Sequence, residues 1–263
     1  MNQFRYILLY AILLSNFYYD AINADEKKFA RSYTSYTLPA KALEFEFWQT
    51  GRIDKGEGFY YRWQPRFEIE YGVTDRFTAS VYFNFNEIKS SGNTIPSKPL
   101  SLSTTSFEFR YRLSNPDEYL LDPALYFEFG YGGDKIFYEP KILLSKRFDK
   151  FDSVINIISE IERAPASSET ESKFEITAGL SYELSSIISI GLEFRNHRNY
   201  SNIYDVELNQ ASFVGPTISF HSERLYLVLN FLSQVSGGPT SADNLDLIGH
   251  EKYEIRTILG VGL

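Results

Sequence analysis

The chain has 263 residues, and 34 acidic against 26 basic side chains leave a net charge of −8. Aromatics make up 17% and hydrophobic residues 43%, which excludes a disordered chain, while 16 glycines and 10 prolines exclude a collagen-like one. The absence of cysteine excludes disulfides, thiolate metal sites and a cysteine nucleophile, and the acidic balance argues against nucleic acid as a partner.

Residues 1–24 read as a secretory signal. Arg5 supplies the positive start, Tyr6 to Leu14 the apolar run, and Ala24 a small residue for cleavage. The run is shorter than the about 20 residues that a spanning helix needs. A retained membrane anchor is the alternative, and Asp20 with the Ala24 site fits cleavage better. Cleavage removes Arg5 and Asp20 together, so the mature chain keeps its charge of −8. Residues 25–40 then form a periplasmic lead-in, with Lys27, Lys28 and Arg31 read as a solvated start.

From residue 41 to 263 the chain alternates with period two, the mark of strands with one apolar and one polar face. Phe45 and Phe47 alternate with Glu44 and Glu46, and Phe67, Ile69 and Tyr71 with Arg66, Glu68 and Glu70. Phe77 to Phe85, Phe107 to Tyr111, Leu125 to Tyr131 and Tyr138 to Leu144 follow the same rule. A seventh segment, 152–162, is blurred by Val154 and Ile158. Phe174 to Tyr182, Ile188 to Phe194, Val214 to Phe220, Leu225 to Phe231 and Tyr253 to Leu263 complete twelve predicted strands and no helix.

Predicted connections alternate in length. Those at 72–76, 114–118, 147–151, 183–186 and 221–224 are short, and those near 52–58, 89–102, 163–171, 197–211 and 234–249 are longer, with 132–135 the exception. Short periplasmic turns, longer external loops and an even strand number characterise antiparallel up-and-down transmembrane β-barrels of the outer membrane. A soluble barrel or sandwich would alternate too. The nearly charge-free apolar face, the aromatics at strand ends (Phe59, Tyr61, Trp63, Tyr71, Phe77, Tyr111, Tyr119, Tyr182) and the apolar last strand favour lipid outside. The expected location is the outer membrane of a Gram-negative-type bacterium, with its lipids and barrel-assembly machinery as partners.

Two motifs carry a family resemblance. Tyr36-Thr37-Leu38-Pro39 followed by Leu43 to Trp48, and Phe67 to Phe77 with its Tyr-Gly-Val-Thr-Asp turn, resemble bacterial outer-membrane barrels similar to the porin-like family named for a phenol-degradation pathway. The likeness spans residues 30–86, with Ala40 where the motif has a basic residue followed by glycine. It implies a porin-like or transport barrel and carries no catalytic residues.

The chain does not resemble the twelve-stranded outer-membrane phospholipases at their motif, since those enzymes carry a histidine and a serine two apart on one strand face. Of the chain's histidines, His197 and His250 fall near external loops with no serine at that offset, and His221-Ser222-Glu223 reads as a polar periplasmic turn, so no enzyme is expected. Asp243, Asn244 and Asp246 lack a calcium-loop pattern and read as a solvated acidic loop. No cofactor or resident metal is called for. Function is expected on the inward face, where Glu44, Glu46, Glu68, Glu70, Glu108, Glu128, Glu139, Asp152, Glu160, Glu175, Glu193 and Glu254 meet Arg62, Arg66, Arg110, Arg112, Lys141, Arg195 and Arg256. The carboxylate surplus suits a water-filled pore favouring cations or small neutral solutes. Charges zipped across the lumen would instead close it. Tyr60 and Tyr82 are the inward aromatics that could mark an apolar path. The reading is a passive channel for a small solute; the alternative is a surface-interaction barrel working through loops 89–102, 197–211 and 234–249. Solute and oligomeric state are not legible.

Overall fold

Strands that turn one apolar face to lipid must also satisfy every backbone group without water, and closing the sheet on itself leaves no edge unpaired. A computed structural model of the chain describes residues 27–133, 135–166, 169–239 and 244–263. The signal reading for 1–24 and the first of the candidate calcium ligands, Asp243, lie outside the described residues.

Twelve antiparallel strands form the barrel. They are β1 (Leu43–Ile53), β2 (Phe59–Thr74), β3 (Phe77–Ser91), β4 (Lys98–Arg112), β5 (Asp122–Gly132), β6 (Lys135–Phe148), β7 (Phe151–Ala164), β8 (Glu169–Glu183), β9 (Ile188–Ser201), β10 (Val206–His221), β11 (Leu225–Gly238) and β12 (Tyr253–Gly262). Each pairs with its sequence neighbours, and β1 closes on β12 from Glu44↔Gly262 to Ile53↔Tyr253. Among the described residues there is no helix.

The outward face is the expected one. Phe45, Phe67, Phe107, Phe127, Ile157, Leu192 and Leu229 are exposed apolar side chains on consecutive parts of the wall, as a lipid-facing band requires. Phe59 at one end, and Tyr71, Tyr111, Tyr119 and Tyr182 at the other, are exposed where aromatic girdles belong. The blurred seventh strand resolves as β7, whose Val154 and Ile158 are buried in the interior while Ile155 and Ile157 face out.

The end of the barrel that carries Leu43 and Gly262 is called the base, and the opposite end the mouth. The predicted alternation of connection length is only partly present. Base connections are 75–76, 113–121, 149–150, 184–187 and 222–224; mouth connections are 54–58, 92–97, 133–134, 165–168, 202–205 and 239–252. Most of the segments read as loops 89–102 and 197–211 belong to β3, β4, β9 and β10, and β11 takes the first part of 234–249. Above the apolar band both strand faces are polar, so the hydrophobic signal stops while the hydrogen-bond ladder continues, as in Arg198↔Gln210 and Tyr200↔Glu207.

Candidate channel lumen

Of the periplasmic lead-in expected at 25–40, the described residues 27–40 lie mostly inside the barrel, and with Lys41 and Ala42 they form a hairpin-like segment that enters at the base, reaches mid-height and returns to β1. Lys27, Lys28 and Arg31, expected to be solvated, are 7%, 4% and 7% exposed. Lys28 Nζ lies 2.7 Å from Asp152 and 3.4 Å from Glu183, the His221 ring nitrogen Nε2 donates to the Lys27 carbonyl at 2.9 Å, and Arg31 pairs with Glu254. The cause is the acidic surplus of the wall: three cations from the segment enter a lumen in which buried carboxylates outnumber cations.

The apex of the segment is held by its backbone. The amides of Ala30, Arg31 and Ser32 donate to the Glu193 carboxylate at 2.9, 2.8 and 2.8 Å, and Asn230 Nδ2 adds a fourth bond at 3.1 Å. Successive N–H groups converging on one carboxylate make an anion-binding nest. Tyr33 then exchanges two bonds with Asn156, its amide donating to Oδ1 at 2.7 Å and its carbonyl accepting from Nδ2 at 2.8 Å. The ring of Tyr33 packs against Trp48 and Tyr126, at 6.3 and 5.4 Å between centroids, under the Lys141 ammonium at 4.1 Å. Buried aromatic area and a desolvated cation over the ring face both favour this seat. On the return, Ser35 bonds Ser145, Leu38 N donates to Thr78 at 3.0 Å and Ala40 N to Asp75 at 2.9 Å.

Two glycines make room for the segment. A Cβ on Gly179 would stand 2.6 Å from the Phe29 ring, and one on Gly72 would stand 1.9 Å from the Pro39 carbonyl oxygen. Neither residue could carry a side chain with the segment in place.

The predicted lining residues all belong to strands, and most point into this filled interior. Glu68, Glu70, Glu108, Arg110, Glu128, Lys141, Glu193, Arg195 and Glu254 are buried. Arg110 donates to Glu108 at 2.7 Å and to the Tyr36 carbonyl at 3.2 Å, and lies 3.9 Å from Glu70. Glu128 accepts from Ser106 at 2.6 Å and Tyr126 at 2.7 Å, with Arg66 3.9 Å away; Arg66 itself donates to Asn84. Lys141 pairs with Glu139 at 2.9 Å, Arg195 with Glu175 at 2.7 Å, and Arg256 donates to Thr50 and to the Ala30 carbonyl. Arg62 reaches Asn86 rather than a carboxylate, and Arg112 sits at the base rim, donating to the Asp75 carbonyl at 3.1 Å.

At the mouth the described part of the 239–252 connection folds inward. Asp246, His250 and Glu251 are buried, so Asp246 is not part of a solvated acidic loop. Its carboxylate accepts from the amides of Ile248 and Gly249 and stands 2.7 Å from His250 Nδ1; His250 Nε2 stands 2.9 Å from His197 Nδ1. Gln234 clamps the loop through the Asp246 amide and the carbonyls of Asp246 and Glu251. Burial works against a charged Glu251, but Arg52, Lys55 and Arg62 outweigh it and hold its carboxyl down at about 2. His250 is pushed below the ordinary histidine value by burial, against the pull of Asp246. Tyr60 and Tyr82 do face inward, yet so do Trp48, Tyr126, Phe213 and Tyr226. For Tyr226 the signal was present: the inner face of β11 carries buried Tyr226, Val228 and Leu232 opposite exposed Leu225, Leu229 and Phe231, which requires something to cover it.

The fold is shared with solved barrels. The COG4313 outer membrane channel from Pseudomonas putida F1 aligns with a TM-score of 0.63 at 11% identity, over 87% of this chain and 98% of that one. The NanC porin aligns at 0.54 and 11% identity, over 82% and 98%. A KdgM porin, solved in complex with disordered oligogalacturonate, aligns at 0.51 and 10%, over 83% and 98%. Identities this low show a common barrel fold. No curated protein matches the chain. Residues 21–135 and 114–263 match a protein family across nearly the whole chain, so the protein belongs to the family of unknown function DUF6662.

Proposed function

We propose that the protein is a passive outer-membrane channel for a small solute, described here in a state closed by its own N-terminal segment. The base faces the periplasm, where export through a signal at 1–24 would deliver the chain to the assembly machinery. One observation carries the reading: the segment filling the lumen is held by non-covalent contacts to the wall, centred on the Glu193 nest, so it can leave without opening the sheet. Fold likeness to a channel and to porins supports it, as does the polar wall. Withdrawal would strip cations from Glu46, Asp152 and Glu254, giving an acid-lined path that favours cations or small neutral polar solutes. Kinship with the phenol-degradation family remains a proposal resting on the motifs at 36–48 and 67–77. A surface-interaction role through loops is less favoured, since most segments assigned to it are strand and the described part of 239–252 folds inward.

The test is planar-bilayer conductance of the refolded mature chain and its Glu193→Ala variant. The parent should be silent or open rarely, and the variant should show frequent discrete steps with cation preference. A Glu193→Ala barrel that is folded, by heat-modifiable migration, and conducts no more than the parent would count against the segment being the closure.

A further inference from the structure

Lys27 is the first described residue of the segment, and its ammonium group does more than neutralise a carboxylate. Its Nζ lies 2.5 Å from Glu46, 4.7 Å from the centre of the Trp48 ring and 6.0 Å from that of Tyr226. The wall builds this seat without the segment. The Trp48 indole N–H and the Tyr226 hydroxyl both donate to Glu46, one from β1 and one from β11. An oriented carboxylate beside electron-rich ring faces is the chemistry that recognises an organic ammonium. Glu46, Trp48 and Tyr226 are each no more than 3% exposed, so water weakens the attraction little. Beside the seat the inner wall is apolar: Trp48, Ala124, Tyr126, Leu143, Val228 and Ile258 belong to one buried cluster, which Ala30 and Tyr33 of the segment complete. Withdrawal of the segment would bare both the charged seat and this apolar surface. An inorganic cation gains only from the first, and a neutral apolar solute only from the second.

We propose that the lumen binds a small organic ammonium ion, a protonated amine on an apolar body, at Glu46, Trp48 and Tyr226, and that Lys27 is the built-in competitor for this seat. The inference rests on the withdrawal of the segment proposed above, and it names the solute class. The amine takes the place of the Lys27 ammonium, and its body takes the place of Tyr33 and Ala30, so solute binding and closure exclude each other. A ligand that binds only the vacated barrel shifts the population towards it, and its apparent affinity is scaled down by the fraction of barrels that are vacated.

Phenethylamine is the probe, titrated into the refolded mature chain carrying Trp63→Phe, so that Trp48 is the one remaining indole. A saturable change in Trp48 emission is expected with the amine. No comparable change is expected with phenethyl alcohol, which has the body without the charge, or with potassium chloride, which has the charge without the body. Lys27→Met removes the competing ammonium and keeps most of its stem; it should tighten amine binding by about tenfold or more. Glu46→Gln should weaken it by about tenfold or more. A folded Lys27→Met barrel that binds the amine no better than the parent overturns the proposal, as does an alcohol or potassium response equal to that of the amine. These comparisons stand even where Glu46→Gln does not fold. Conductance by Glu193→Ala without amine binding sinks this inference and leaves the channel. Amine binding to a barrel that conducts in no variant keeps the seat and sinks the channel.

Discussion

The lumen is filled from both ends, and the two fillings are electrostatic opposites. At the base an acidic wall receives a basic segment, with Lys27, Lys28 and Arg31 set against Glu46, Asp152 and Glu254. At the mouth the polarity is reversed: the loop brings Asp246 and Glu251 to a wall that offers Arg52, Arg62 and His197. The mechanical difference matters more. The mouth loop is fixed at both ends by β11 and β12, whereas the described basal segment joins the wall only through β1. A filler anchored at both ends narrows a passage; one anchored at a single end can vacate it. The base is therefore where closure is expected to be reversible.

The largest expected effect breaks the base. Glu193→Ala removes the acceptor of three backbone amides, and each buried donor left unsatisfied costs about 1–3 kcal/mol. The heat-modifiability midpoint should fall markedly, and amides 30–32 should lose protection from hydrogen exchange while strand amides keep theirs. Gly179→Val comes next: its Cβ would overlap the Phe29 ring, an overpacking cost of about 1–3 kcal/mol. The segment should be displaced with the wall intact, raising protease cleavage after Lys28.

A pH titration sharpens the contrast, because two groups of the mouth loop are held away from their ordinary values. His250 is held below the about 6.5 of an unfolded histidine, so its contribution to stability is full above that value and falls as pH drops below it. Glu251 is held at about 2, below the about 4.3 of an unfolded glutamate; its contribution is present above about 4.3 and is lost as pH falls towards 2. Thermal midpoints should therefore decline in two stages, and His250→Gln should remove the upper one. A profile unchanged by His250→Gln would mean the mouth loop does not respond to this group. The smallest effect is expected at the rim, where Arg198 and Glu207 pair at 3.3 Å while both are exposed. Arg198→Ala should change the midpoint by less than about 1 kcal/mol of stability and leave conductance alone.

The strands were legible because lipid imposes a strict rule on every second residue, and Phe45, Phe107 and Leu229 obey it. Where lipid ends, so does legibility: Asn196 to Ser201 looks like loop because it is polar on both sides, yet it pairs with β10. The basal segment was illegible for a different reason. Residues 27–42 have no period, and their partners, Asp152, Glu193 and Glu254, lie more than a hundred residues away. The clue was a mismatch: a wall short of cations next to a basic stretch with no assigned contact. Glu108, Arg110, Glu193 and Glu254 are buried on the face opposite the lipid-facing side chains, but facing inward does not say whether water or protein lies opposite.

The position of the segment immediately before β1 also bears on biogenesis. Both described ends of 27–42 lie at the base, Lys27 beside His221 and Ala40 beside Asp75, so among the described residues the chain passes through no closed ring and makes no knot. No described residue has to be threaded before β1 zips to β12. The cylinder can be completed and inserted first, and the segment can enter afterwards, so that sealing is a late folding step separable from membrane insertion.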